Sequence, residues 1–116
     1  MAPDTLIEAG VTLLGIRRAG LLLGVGALAQ IGPQEGELKS MHTASEARGQ
    51  GVARQLLKAL LDHARDNGMI RVSLETGSAQ DFAPARALYA AEGFTECPPF
   101  GRYDDDPLCV FMSRIL

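Results

Sequence analysis

The clearest pattern of apolar and polar positions lies in the middle of the chain. Six apolar residues recur there at intervals of three and four, and charged residues fall between them. This spacing places all six on one side of a helix, which is typical of a helix packed against a core. Gly68 follows, and glycine commonly ends helices. The pattern predicts a helix over Val52–Asn67, with Val52, Leu56, Leu57, Leu60, Leu61 and Ala64 on its buried side.

Shorter apolar segments on both sides of this helix predict strands, because they are separated by turns rich in Gly and Pro. A second helix is predicted where Pro84 stands in the first turn and Gly93 follows the end. The segment Asp4–Ala9 is predicted as a short helical turn and Ile31–Gly36 as a loop. The other predicted elements are strands at Val11–Arg17, Leu21–Ala29, Glu37–Thr43, Arg71–Thr76, Phe94–Cys97 and Leu108–Ile115, and the second helix at Ala83–Glu92.

The order of these elements predicts a mixed α/β sheet in a single domain over residues 1–116. Strand, helix and strand between Glu37 and Thr76 form a crossover unit, which is right-handed in nearly all proteins and joins parallel strands. The hairpin of the first two strands adds antiparallel neighbours. A chain of 116 residues is long enough for one modest hydrophobic core.

Charge and composition argue against several classes of function. The net charge is −3 without a dense stripe of Lys and Arg, so nucleic acid is not an expected partner. The apolar run Leu21–Ile31 is too short to span a bilayer, and the N-terminal residues do not form a secretory signal. We therefore expect a cytoplasmic protein without a membrane partner.

The two cysteines, Cys97 and Cys109, lack the spacing of metal ligands. No metal is expected, and both thiols should be reduced in the cytoplasm. The alternative is a redox pair across two neighbouring strands.

Two glycines precede the long helix in the segment RGQGVA, residues 48–53. Free N–H groups of the first helical turn point into this loop, and the helix end carries about half a positive charge. Without side chains at Gly49 and Gly51, a phosphate or pyrophosphate can reach those amides beside Arg48. The alternative is a tight strand-to-helix turn with glycine as a spacer. A second glycine pattern, Gly24–Ala29, opens no helix, so we interpret its glycines as thin residues inside a strand.

Four segments, in order, resemble motifs of the GNAT superfamily of N-acyltransferases. RGQGVA fits the Q/R-x-x-G-x-G/A pattern of the family's acyl-CoA loop, and ALYAAEGF (87–94) resembles its LY-xxx-GF signature. ELKSMHT (37–43) and RVSLETG (71–77) stand where the family has its central strand and the next one. The stretch from Leu74 to Met112 also looks like a branch of small bacterial acetyltransferases. The resemblance implies a mostly antiparallel central sheet with a β-α-β acyl-CoA-binding crossover.

The resemblance implies an N-acetyltransferase that moves an acetyl group from acetyl-CoA to a primary amine by direct attack, assisted by a general base. The alternatives are a non-catalytic acyl-CoA-binding module and an interaction protein that retains the fold. By the same resemblance, the coenzyme A pyrophosphate binds Arg48, Gly49, Gln50, Gly51, Val52 and Ala53, and the pantetheine arm binds the backbone of Met41, His42 and Thr43 like an added strand.

Three residues are the leading candidates for acid–base chemistry, with His42 ranked behind both carboxylates as a base. Glu37 begins the central strand, and histone-acetylating members of the family have a catalytic glutamate at the matching position. Glu75 is the second candidate for the base, and it matches a glutamate of members that acetylate ribosomal proteins. Tyr89 matches the tyrosine that protonates the departing CoA sulfur. The alternatives are a solvated carboxylate for Glu37, a residue that orders the next loop for Glu75, and core packing for Tyr89.

The loop PPFGRYDDDP is expected on the acceptor side of the fold. Its acidic run favours a cationic amine, on which an aromatic ring can pack. Tyr103 and Asp104 are therefore candidate substrate-binding residues. The alternative is a solvated turn that ends at Pro107.

The chain departs from the family's pattern at two places. Phe82 stands where many members have an asparagine that touches the coenzyme, so that contact is in doubt. The usual first strand and first two helices of the family are expected to be absent. Without that strand, Val11–Arg17 would have an unpaired edge, and we expect a homodimer formed through this N-terminal edge strand.

Overall fold

The computed structural model describes residues 4–8 and 10–116. Seven strands form one sheet in the order β1-β2-β3-β4-β5-β7-β6. The elements are β1 Asp4–Glu8, β2 Val11–Arg18, β3 Leu21–Gly32, β4 Glu35–Thr43, α1 Val52–Asp66, β5 Arg71–Gly77, α2 Ala83–Ala91, β6 Thr95–Glu96 and β7 Cys109–Ile115, with 3₁₀ turns at Ser45–Ala47 and Gln80–Phe82.

Every neighbouring pair of strands is antiparallel except β4 and β5, which run parallel. Helix α1 connects these two strands, so the predicted crossover unit and the mostly antiparallel mixed sheet are confirmed. Across the residues that the structure describes, neither helix is long and apolar enough to cross a membrane.

The hydrophobic core lies between one face of the sheet and the two helices. Leu56, Leu57 and Leu60 of α1 are fully buried in the same cluster as Tyr89 of α2. Burial of each such leucine stabilises the fold by about 1.5–3 kcal/mol. The apolar spacing predicted for the long helix therefore becomes its packed side.

Glycines in β3 let α1 approach the sheet closely. A Cβ at Gly24 would lie 2.8 Å from Cγ1 of Val52, and one at Gly26 would lie 2.5 Å from Sδ of Met41 and 2.9 Å from Cδ1 of Leu60. Both glycines are strand residues, as the sequence predicted.

Two predicted elements are wrong. Asp4–Glu8 is a strand and not a helical turn, because it pairs along β2 from Asp4 opposite Gly15 to Glu8 opposite Val11. The predicted loop at residues 31–36 is shorter, since β3 and β4 extend into it and leave a two-residue hairpin turn at 33–34.

This first strand also changes the expectation about the sheet edge. β1 covers the edge of β2 that was expected to be unpaired, so the sheet does have a first strand. Only two residues separate β1 from β2, which leaves no room for helices between them. The edge of β2 is therefore not open for pairing with a second copy, and the homodimer stays a prediction.

Candidate active site

A cleft opens where β4 and β5 separate. In the described part of the chain, these strands pair over Glu35–Leu38 and Arg71–Leu74 and no further. Beyond this point β4 continues to pair with β3, and β5 with β7. The cleft has a volume of about 400 Å³ and is lined by Leu38, Lys39, Ser40, Met41, Leu74, Glu75, Thr76, Gly77, Phe82, Ala85, Tyr89 and Leu108.

A β-bulge shapes the β4 side of this cleft. His42 lies opposite Val25 whereas Lys39 lies opposite Ala27, so β4 carries one more residue than β3 over this interval. Ser40, within the bulge, has a φ of +55°. A bulge bends its strand and leaves one residue outside the regular ladder. The bulge thus turns β4 where it leaves β5.

The three residues predicted to contact the pantetheine arm have different surroundings from one another. Met41 lines the cleft, and its sulfur packs over Gly26. His42 is exposed, and Thr43 lies opposite Gly24 on β3. All three residues lie beyond the last residue pair between β4 and β5, so backbone groups on the β5 side of this segment have no strand partner there.

The glycine loop at residues 48–53 ends at the N-terminus of α1. Gly49 and Gly51 have φ values of +78° and +77°, which glycine adopts without strain. Apart from each glycine's own neighbours in the chain, no described residue would have an atom within 4 Å of a Cβ at either position, so the space beside both glycines is open. Gly51 is the N-cap of α1, and no described side chain caps the first turn. Free N–H groups and the positive helix end favour an anion here.

The loop adjoins the cleft through the first residue of the helix. Val52 packs against Gly24, whose strand partner is Thr43 at the end of β4. The open helix terminus and the part of β4 that no longer pairs with β5 therefore lie at the same end of the sheet.

Sequence reasoning missed Arg18 as a neighbour of the glycine loop. Its Nη1 donates a hydrogen bond to Oε1 of Gln50 at 3.0 Å, and Nε2 of Gln50 donates to the carbonyl oxygen of Glu46 at 3.0 Å. This chain of hydrogen bonds brings a second arginine beside the loop that contains Arg48. Arg18 and Gln50 are 32 residues apart, so no local pattern indicated their contact.

Tyr89 lies on α2 and lines the cleft. Its ring packs edge-on against Phe94 with centroids 5.9 Å apart, and 7% of the residue is exposed. Burial raises the pKa of its hydroxyl above the ordinary value for tyrosine. Tyr89 is therefore protonated at neutral pH, at the wall of the cleft.

Phe82, which stands where the family resemblance led us to expect an asparagine, also lines the cleft. Its ring packs so closely on Gly77 that a Cβ at that glycine would overlap it. This position contributes an apolar wall and not an amide.

The two candidate bases have different surroundings. Glu37 is 6% exposed and does not line the cleft, whereas Glu75 is exposed and does. Glu37 accepts a hydrogen bond from the hydroxyl of Tyr103 at 2.6 Å, and Nζ of Lys39 lies 3.8 Å from its other carboxylate oxygen. Because side chains alternate along a strand, Glu37 points to the sheet face opposite that of Leu38, which lies in the helix-side core.

The loop after β6 brings Tyr103 onto Glu37, within a cluster of aromatic rings. The Tyr103 ring lies 5.2 Å from that of Phe100 and 5.5 Å from that of Phe111, measured between centroids. The hydrogen bond to Glu37, burial and nearby negative charge raise the pKa of Tyr103 to about 12. Asp104, the other predicted substrate contact, is exposed.

Both cysteines are free thiols and half-buried. Burial, a hydrogen bond to Glu75 and the charges of Glu75 and Asp106 raise the pKa of Cys109, which keeps its thiol protonated. Within residues 4–8 and 10–116, no group of three His, Cys, Asp or Glu side chains is placed to hold a metal ion.

Comparison with known proteins identifies the family. The model of the acetyltransferase (GNAT) family matches residues 3–94. An uncharacterised N-acetyltransferase of Bacillus subtilis (strain 168) is 45% identical over 95 residues, and the match covers 82% of this chain and 63% of that protein. This chain thus spans less than two thirds of that relative's length.

A second relative is matched almost along the whole chain. An IAA acetyltransferase of Azospirillum brasilense is 40% identical over 114 residues, covering 97% of this chain and 73% of that protein. The crystal structure of a candidate acyl-CoA N-acyltransferase from Klebsiella pneumoniae subsp. pneumoniae superimposes with a TM-score of 0.86 at 36% identity, covering 92% of this chain and 73% of that one. With the split sheet and the glycine loop at α1, these matches show that the chain belongs to the GNAT acetyltransferase family.

Proposed function

We propose that this protein is an N-acetyltransferase that transfers the acetyl group of acetyl-CoA to a primary amine. The observation that carries the proposal is the meeting, at one end of the sheet, of an open glycine loop and the cleft between β4 and β5. The glycine loop is suited to the pyrophosphate of coenzyme A, and the cleft is suited to its extended pantetheine arm.

Acetyl-CoA fits this end of the sheet in two parts. Its pyrophosphate would accept hydrogen bonds from the N–H groups of residues 48–53, with the cations of Arg48 and Arg18 nearby. Its pantetheine arm would lie along Met41–Thr43 and pair with the free backbone groups there, as an added strand does. The thioester would then reach the part of the cleft lined by Tyr89.

The reaction needs a base and an acid. An alkyl amine with a pKa of about 10.4 is only about one part in 2,500 neutral at pH 7, so a proton must leave the nitrogen before it attacks. The nitrogen then bonds to the acetyl carbon, and the C–S bond breaks. As the amide forms, the nitrogen loses a second proton, which passes through solvent to replace the one that Tyr89 gives up. Tyr89 gives its proton to the departing thiolate, while backbone N–H groups of the separated strands stabilise the oxyanion. Glu37 and Glu75 are the candidate proton acceptors.

The acceptor would approach from the sheet face that carries these carboxylates. Glu75 lies at the cleft wall, and the exposed Asp104 adds negative charge on the neighbouring loop. Together with the ring of Tyr103, this side favours a cationic amine.

The cofactor site is tested by a matched pair of variants at the N-cap of α1. Aspartate and asparagine have the same shape and both tolerate the positive φ of Gly51. Gly51→Asp puts a negative charge where the pyrophosphate would bind, so we expect acetyl-CoA to bind about 10-fold more weakly or worse in titration calorimetry. Gly51→Asn should stay within about threefold of the wild type. Equal affinities of the two variants would contradict the assignment.

The catalytic step is tested by release of free CoA thiol in the presence of a panel of amines. Binding of acetyl-CoA without turnover would favour a non-catalytic acyl-CoA-binding module. Absence of both would favour an interaction protein that retains the fold.

A further inference from the structure

Glu37 presents a problem for direct proton transfer. Its carboxylate is buried, does not line the cleft and lies beneath Tyr103, whose hydroxyl donates to it at 2.6 Å. Nζ of Lys39 lies 3.8 Å from the other oxygen of this carboxylate. An acceptor on this face of the sheet therefore meets Tyr103 before it meets Glu37.

We propose that Tyr103 and Glu37 form a proton relay, in which Tyr103 contacts the acceptor amine and Glu37 receives the proton. The proposal rests on the acetyltransferase function above. As the amine loses a proton to the phenol oxygen, the phenol passes its own proton to Oε2 of Glu37. The phenol is neutral before and after the step, and Glu37 changes from carboxylate to carboxylic acid.

The surroundings of Tyr103 support a role for its hydroxyl beyond packing. The ring packs against both Phe100 and Phe111, and a phenylalanine ring would make the same packing contacts. A phenol that donates one hydrogen bond can accept another on the same oxygen, as a relay requires. The pKa of about 12 for Tyr103 keeps the phenol protonated, and therefore able to donate to Glu37, at neutral pH.

The test compares kcat for Tyr103→Phe, Glu37→Gln and the double variant. Each single variant should lose about 10²-fold in kcat, as expected for removal of an acid–base group, while KM for acetyl-CoA changes less than about twofold. Because both residues serve one step, the double variant should be no slower than about 10²-fold. Phe100→Leu removes a ring from the same cluster and keeps the hydrogen bond, so its kcat should stay within about threefold of the wild type.

Two outcomes would overturn the relay while leaving the proposed function intact. One is wild-type kcat in Tyr103→Phe, which would make the hydroxyl merely structural. The other is a loss of about 10⁴-fold in the double variant, which would show that the residues act independently. A wild-type protein that neither binds nor consumes acetyl-CoA would refute the proposed function and the relay together.

Discussion

Ionisation of Tyr103 should weaken the fold at alkaline pH. Its hydrogen bond to Glu37, burial and nearby negative charges raise its pKa from 10.0 to about 12. Because the pKa is higher in the folded than in the unfolded state, the stabilisation is fully present below about pH 10. It is lost as the pH rises through about 12, where the folded protein must also hold a phenolate beside a buried carboxylate.

The size of this effect follows from the pKa difference and from exposure. Two pKa units correspond to about 2.7 kcal/mol, which is an upper bound. Tyr103 is partly exposed, and solvent screening reduces the effect to about 1 kcal/mol. A neutral phenol at this site thus contributes a measurable share of the few kcal/mol that hold a small domain together.

Urea unfolding of the wild type and of Tyr103→Phe measures this contribution. The difference in unfolding free energy between the two proteins should fall by about 1 kcal/mol between about pH 9 and pH 12. Other titrating groups are present in both proteins, so their contributions cancel in the difference. In the background Glu37→Gln the fall should be smaller, because the neighbouring charge is gone. A difference that stays constant across this range would refute the linkage between the phenol and Glu37.

Two other substitutions probe the close packing behind the cleft and the acid within it. Gly26→Ala puts a methyl group 2.5 Å from the Met41 sulfur and 2.9 Å from Leu60, so it should cost about 1–3 kcal/mol in urea unfolding and weaken acetyl-CoA binding in calorimetry. An unchanged unfolding midpoint would mean that α1 can move away freely. Tyr89→Phe should lower kcat about 10-fold or more with KM for acetyl-CoA unchanged, as measured by thiol release. Wild-type kcat in that variant would remove Tyr89 from the mechanism.

Elements were predictable from the sequence where their own apolar pattern determines how they pack on the rest of the fold. The helix predicted over Val52–Asn67 is observed over Val52–Asp66, because its six apolar positions leave one way to pack on the sheet. The strand identity of Asp4–Glu8 could not be read in this way. Its five residues carry no decisive pattern, and the ladder with β2 determines their conformation.

The parts of the candidate site that escaped prediction depend on contacts distant in sequence. Tyr103 and Glu37 are 66 residues apart, so no local pattern indicates their hydrogen bond. From the sequence alone, Tyr103 is a candidate acceptor-binding residue in an acidic loop, with no indication of a partner on the sheet. The bulge at Ser40 has no sequence signal either, because its positive φ is adopted by a serine and not by a glycine. Spacing could place residues on elements, but only the fold brings their side chains together.

The short parallel ladder between β4 and β5 has a mechanical consequence. It is the seam between two half-sheets, one of four strands and one of three, and it consists of four residue pairs. A ligand that bridges the two strands beyond Leu38 and Leu74 would lengthen this seam without any rearrangement of the chain. At a concentration of 100 times its dissociation constant, such a ligand would stabilise the folded state by about 2.7 kcal/mol. Because the ligand would bind in the gap between the two half-sheets, the stability of their contact would depend on the ligand concentration.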